Sequence, residues 1–128
     1  MHKIWVADDD SAIRVVLEES FSSSGFDVKT FSSGDDVVTE LKLEAPDLIL
    51  TDVQMPGMLG YDLLKHINDN YENIPVIIMT AFTDMQAAVD SYGGGAFEYI
   101  TKPFDLENVT QIINRALEKK PITKGLKA

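Results

Sequence analysis

Cysteine is absent from this 128-residue chain. Disulfides, thiolate nucleophiles and Cys-ligated zinc are therefore excluded. Histidine is nearly absent too. His2 and His66 are the only two and lie far apart in sequence, which argues against His-rich metal sites and His-centred triads. Positive charge is scarce, with 11 Lys and Arg against 21 Asp and Glu and a formal net charge of −10. A phosphate-backbone binder needs a basic face, so direct nucleic-acid contact by this chain is not expected. No apolar run approaches the ~20 residues that span a bilayer. No charged-then-apolar leader opens the chain. Together these point to a cytoplasmic protein that does not engage membranes.

What remains is an ordinary globular composition, 45% hydrophobic and 25% charged. The length suits one domain. Charge divides that domain from a tail. Residues 1–118 hold all 21 acids and seven of the bases, whereas 119–128 (KKPITKGLKA) hold four lysines and no acid. The tail has Pro121, Gly125 and no apolar periodicity. It reads as a basic linker leading to further domains, or as a frayed end.

Within 1–118, short apolar runs alternate with stretches of helical spacing. The runs are KIWVA (3–7), FDVKTF (26–31), LILT (48–51), PVIIM (75–79) and FEYIT (97–101). Three are nearly continuous in apolar residues, as expected of parallel strands covered on both faces. Between them, Ile13, Val16, Leu17, Ser20 and Phe21 share one helical face. So do Val37, Val38 and Leu41, then Leu63, Leu64 and Ile67, then Met85, Ala88 and Val89. The last helix carries Leu106, Val109, Ile112, Ile113, Ala116 and Leu117. Asp105 is its expected N-cap, with Phe104 stapled to Val109. Strand–helix alternation repeated five times predicts an α/β fold. The sheet is a five-stranded parallel one of order 2-1-3-4-5 with helices on both faces, doubly wound and flavodoxin-like.

In such a sheet, ligands bind at the carboxyl ends of the strands. Asp8, Asp9 and Asp10 follow the first run, Asp52 the third, Thr80 and Ala81 the fourth, and Lys102 the fifth. Each has a plain structural reading. Asp10 or Ser11 caps a helix, Asp8 and Asp9 fill a turn, and Lys102 is a solvated lysine. It is the joint placement at neighbouring strand ends that suggests a site. Crowded carboxylates repel one another unless a hard cation sits among them. Magnesium suits one or two carboxylates, a carbonyl and waters, with room for a phosphate oxygen. Lys102 and Thr80 would serve phosphoryl oxygens. Asp52 stands alone at its strand end and could act as a nucleophile toward phosphorus. The loop MPGMLG (55–60) could turn the Gln54 carbonyl toward the cation.

The combination of Asp8-Asp9-Asp10, Asp52 in LILTDVQMPGMLG, Thr80 in PVIIMTA and Lys102 in FEYITKPF resembles the receiver domain of two-component response regulators. WVADDDSAIR and GAFEYITKPFD are most like the receivers of NtrC-type nitrogen-regulation activators. The resemblance covers about 3–118. It implies a phosphorylation-activated switch, not a turnover enzyme, that catalyses its own phosphorylation and dephosphorylation. Asp52 is then the phosphoacceptor. Asp9, Asp52 and the Gln54 carbonyl hold Mg2+, for which Mn2+ can substitute, while Asp8 acts mainly through water. Lys102 and Thr80 bind the phosphoryl group, Ala81 lies beside them, and Tyr99 follows Thr80 in the switch. The implied partners are a sensor histidine kinase, small phosphodonors such as acetyl phosphate, ATPase and DNA-binding output domains in cis, and a homodimer formed on phosphorylation. The family usually has a cis bond before Pro103; the general frequency for X-Pro, ~5–6%, gives no such expectation. Leu59 departs from the family, which commonly has Asp there. Gly93 and Gly94 are unusual before Gly95 and suggest an easily remodelled helix around Met85–Val89. Other classes remain open. One is a magnesium-dependent phosphatase with an Asp nucleophile, although 128 residues leave no room for its cap domain. A second is a flavin- or nucleotide-binding module, although no Gly-rich phosphate loop follows the first strand. A third is an interaction-only receiver with an inactive pocket.

Overall fold

The computed structural model describes residues 1–84, 86–87, 90 and 95–118. Its strands are β1 (Lys3–Ala7), β2 (Asp27–Phe31), β3 (Leu48–Asp52), β4 (Val76–Ala81) and β5 (Glu98–Lys102). Its α-helices are α1 (Ser11–Ser23), α2 (Gly34–Leu41), α3 (Gly60–Asn70) and α4 (Leu106–Glu118). A 3-10 turn, Phe82–Asp84, follows β4. All strand pairs are parallel, in the order β2-β1-β3-β4-β5. The fold expected from the alternation of patterns is the one observed. The helical stretch expected at Met85, Ala88 and Val89 falls outside the described residues, as do Gly93, Gly94 and the tail 119–128. Among the described residues, no helix is long and apolar enough to cross a membrane.

The alternating directions of strand side chains split the core into two layers. Trp5 and Ala7 of β1 point to one side. They join Phe31, Ile49 and Ile78 with Val37 and Leu41 of α2 and Leu63, Leu64 and Ile67 of α3. Ile4 and Val6 point to the other side. They join Leu48, Leu50, Ile77 and Met79 with Leu17 and Phe21 of α1 and Val109, Ile112 and Ile113 of α4. The central strands are thus covered twice, which is why β1, β3 and β4 read as continuous apolar runs. Edge strands β2 and β5 are mostly half-buried and keep polar residues.

The helix starts follow local chemistry. Asp10 caps α1 by accepting the Ala12 N–H (2.9 Å), and Ser33 caps α2 by accepting the Asp36 N–H (3.2 Å). Asp105 accepts the Glu107 N–H (2.9 Å), and Phe104 packs on the cluster that contains Val109. One expectation is corrected. Val16 does not share the buried face of α1; it is 48% exposed while Leu17 and Phe21 are fully buried. The contact stripe runs through positions 13, 17, 20 and 21, and 16 lies at its margin, where solvent wins.

At α3 the cap position is Leu59, with extended backbone and no side-chain cap hydrogen bond. Its side chain is 41% exposed, so little burial is at stake. Leu59→Ser should therefore stabilise the protein by about 1 kcal/mol by accepting an orphan amide of the first turn. Thermal melting checks this, and an unchanged or lower midpoint would contradict it.

Candidate functional site

Strand register brings the polar strand ends level. Ala7 pairs with Thr51, Asp52 with Met79, Thr80 with Thr101 and Ala81 with Lys102. The residues just past the last ladder pairs of β1 and β3 are thus side by side, and those of β4 and β5 close the row. Asp8 is fully buried, Asp52 nearly so, and Asp9 is exposed. One carboxylate oxygen from each lies within 4.8 Å of the others. Asp10 is exposed and spent on its helix cap.

Lys102 ties this group together. From the end of β5 its ammonium reaches past β4 to donate to Asp52 Oδ2 (3.1 Å) and Asp8 Oδ2 (2.9 Å). The Lys102–Pro103 peptide bond is cis. Asp8 is held on every side. Its N–H donates to the Phe31 carbonyl (3.0 Å) on β2, and its Oδ1 accepts the Asp10 N–H (2.9 Å). Its own carbonyl accepts from Arg14 Nη1 (2.6 Å). Asp9 is the carboxylate least enclosed by protein.

The electrostatics are unbalanced. Three carboxylates face one ammonium. Burial pushes the Asp52 carboxyl above its ordinary value and the neighbouring Asp8 charge pushes it further; Lys102 and the Gln54 amide oppose the rise. Burial works against the Lys102 charge, but its hydrogen bonds to Asp8 and Asp52 outweigh this and hold its ammonium above the ordinary lysine value. The donor set is all oxygen, has excess negative charge and is open on the Asp9 side. A hard divalent cation fits that chemistry, and one that keeps several waters fits best.

The remaining expected residues lie around this group. Thr80 is buried at the end of β4, with Ala81 exposed beside it. Gln54 is exposed in the loop after Asp52, and its main-chain amide is among the groups that oppose the rise in the Asp52 pKa. Tyr99 is half-buried on β5 and packs against the core layer of α2 and α3. Two residues of structural weight were not singled out by sequence reasoning. Arg14 is one; the signal available was a cation one helical turn beyond three consecutive acids. Gly60 is the other. A Cβ there would land on the carbonyl oxygen of Asp52 and 2.9 Å from Val53 Cα. The Gly60 N–H also donates to the Val53 carbonyl (2.8 Å), so the start of α3 is pressed onto the main chain that carries Asp52. Gly60→Ala should cost about 2 kcal/mol, in the range of core overpacking, because the obstacle is backbone and cannot swing aside. Urea unfolding measures it. A neutral result would show that α3 is free to shift.

The chain matches the family model described as response regulator receiver domain over residues 4–114. It is 46% identical over 113 residues to the DNA-binding transcriptional regulator NtrC of Klebsiella pneumoniae, covering 88% of this chain and 24% of that protein. The chain thus spans about a quarter of the length of this curated relative. Among solved structures, it superposes on a response regulator receiver domain protein from Clostridium thermocellum with a TM-score of 0.84, 30% identity and full coverage of both chains. It also superposes on the response regulator protein TrrA of Thermotoga maritima, solved in complex with Mg(2+)-BeF. That match has a TM-score of 0.82 and 25% identity over 91% of this chain and 99% of that one.

Proposed function

This chain belongs to the response regulator receiver domain family, and from that premise we propose that Asp52 accepts a phosphoryl group and that residues 1–118 form the switch it drives. The single observation that carries the proposal is the Lys102 bridge. One ammonium joins Asp52 on β3 to Asp8 on β1 where the Asp8, Asp9 and Asp52 oxygens converge. Lys29 also lies between two carboxylates, Glu40 and Glu44, but at the surface, whereas the Asp8 carboxylate beside Lys102 is enclosed. Lys102 is held beside an excess of negative charge that only a cation relieves.

Asp9 and Asp52, with the Gln54 carbonyl, would hold the magnesium ion directly, and Asp8 would act through water because its two oxygens already accept from Asp10 and Lys102. When bound, the ion supplies charge neutralisation for the oxygens around phosphorus. The Asp52 carboxylate forms the new P–O bond as the bond from phosphorus to its donor breaks. The donor's leaving atom is an imidazole nitrogen for a sensor histidine kinase, or an acyl oxygen for a small donor such as acetyl phosphate. Asp52 must be ionised to attack. Lys102 keeps it so against burial, and afterwards pairs with the phosphoryl oxygens. Thr80, at the neighbouring strand end, donates its hydroxyl to another of them. Tyr99, on the adjacent strand β5, then repacks as Thr80 reorients. Support for the ion and the phosphoryl group comes from the Thermotoga relative, which was captured with magnesium and a beryllium fluoride.

The basic segment 119–128 would be the linker to output domains. The NtrC relative, described as a DNA-binding transcriptional regulator, is about four times the length of the matched region. Transcriptional output of the nitrogen-regulation type, and dimerisation on phosphorylation, would belong to that longer protein. The test is incubation with acetyl phosphate and magnesium, followed by intact mass. One phosphoryl group should be added, and the reaction should stop there. No adduct, or sustained turnover of phosphomonoesters, would remove the proposal; the latter would favour a phosphatase.

A further inference from the structure

Arg14 occupies an unfavourable place for a cation. It ends the first turn of α1, where the helix dipole disfavours positive charge. No carboxylate ion pair involving it is found among the described residues. Its guanidinium instead donates to a main-chain oxygen, the Asp8 carbonyl, at 2.6 Å. The Arg14 N–H meanwhile donates to the Asp10 carbonyl at 3.1 Å. One residue thus grips the carbonyls on both sides of Asp9. The second grip is an ordinary helical bond that any side chain would leave in place. The first depends on the arginine alone.

We infer that Arg14 is a positioning residue for the acidic pocket: by holding the β1–α1 turn through the Asp8 carbonyl, it sets where the Asp9 carboxylate stands and so the affinity for a divalent cation. The inference rests on the metal reading above. The carboxylate most open to an incoming ion belongs to a turn residue, and a turn is easily displaced. Asp8 cannot stray, because β2, β5 and the Asp10 amide hold it. Among the described residues no side-chain hydrogen bond or ion pair of Asp9 is found, so the peptides on either side fix it. A charge-assisted bond to one of those peptides is among the stronger restraints a side chain can give.

A guanidinium near a cation site also exerts a field, and that field has the opposite sign. If Arg14 acted only through charge, its removal would tighten cation binding. If it acts by position, removal weakens binding, as loss of an outer partner commonly does by about tenfold or more. The direction of the change therefore decides between the two.

The experiment titrates Mg2+ by calorimetry into the wild-type chain, Arg14→Ala and Arg14→Lys, at low salt and in ~1 M potassium chloride, where the Debye length is ~3 Å. Arg14→Ala should bind magnesium about tenfold more weakly, with the deficit surviving high salt. Arg14→Lys, which keeps a charged donor, should recover part of the loss. Equal or tighter binding by Arg14→Ala, a deficit that vanishes in salt, or no recovery at all with lysine would overturn the inference. Should Arg14→Ala fail to fold, Arg14→Gln carries the same comparison. Amide exchange at Asp10 in the metal-free protein gives a second, metal-independent reading. It should quicken in Arg14→Ala, and unchanged protection would equally overturn the inference. If the wild type binds no magnesium while Asp10 exchange still responds to Arg14, the metal reading fails and the held turn stands.

Discussion

Asp52→Asn should abolish phosphoryl uptake from acetyl phosphate altogether, and yet melt at a higher temperature than the wild type in the absence of metal. The two effects have one origin. The carboxylate that must attack phosphorus is also the one that the fold penalises. Burial and the Asp8 charge both raise its pKa, so the folded chain holds that proton more tightly than the unfolded chain does. Such a group favours folding at acidic pH. That contribution is lost as pH rises through the folded-state value, and at neutral pH it opposes the fold. Asparagine has nearly the same shape and no charge, so it removes the penalty while Lys102 keeps Asp8 as a partner. Intact mass should show no adduct, and melting curves should show the gain in stability at neutral pH shrinking as the buffer is made acidic. Labelling at another residue would end the assignment of Asp52. A loss of stability would show that the Asp52 charge is structural.

Lys102→Ala should have the larger effect on stability, in the opposite direction. Among the described residues its ammonium is the one cation that pairs with the side-chain carboxylates of Asp8 and Asp52, and the Asp8 side chain is 1% exposed. Removing one partner of a buried pair leaves the other charge uncompensated, which costs about 3 kcal/mol or more. In a domain of this size that lowers the midpoint by roughly 10 °C. The Lys102 pKa is raised in the fold. Its contribution is therefore complete below the ordinary lysine range and fades only in strong alkali, so the deficit should be present at neutral pH. Magnesium should restore more stability to the variant than it adds to the wild type. The ion there does what the ammonium did, and ligands that bind only the folded state stabilise by mass action. Phosphoryl uptake and signalling should remain impaired. A variant as stable as the wild type without metal would show that the carboxylates find other relief.

Much of the fold was legible because burial on two faces leaves a mark in one dimension. KIWVA, LILT and PVIIM are nearly continuous apolar runs, and only central strands of a covered parallel sheet need to be. Asp10 and Asp105 announce helix starts, because capping is chemistry between residues two or three apart. Val16 was misjudged because helical spacing marks an arc of the helix and not its edge. Neighbouring elements decide which marginal position is covered.

The identity of the pocket residues came from sequence. Asp8, Asp9, Asp52, Thr80 and Lys102 each end an apolar run, and a parallel sheet must gather such ends on one rim. Tertiary structure alone decided how they are used: that Lys102 spans two strands to hold Asp8 and Asp52 at once, that Asp8 is fully enclosed while Asp9 is open, that Gly60 presses α3 onto the Asp52 peptide, and that Arg14 reaches back to the Asp8 carbonyl. The physical reason is range. Periodicity and capping are set by near neighbours along the chain, whereas burial and pairing depend on which atoms from distant segments arrive at the same place.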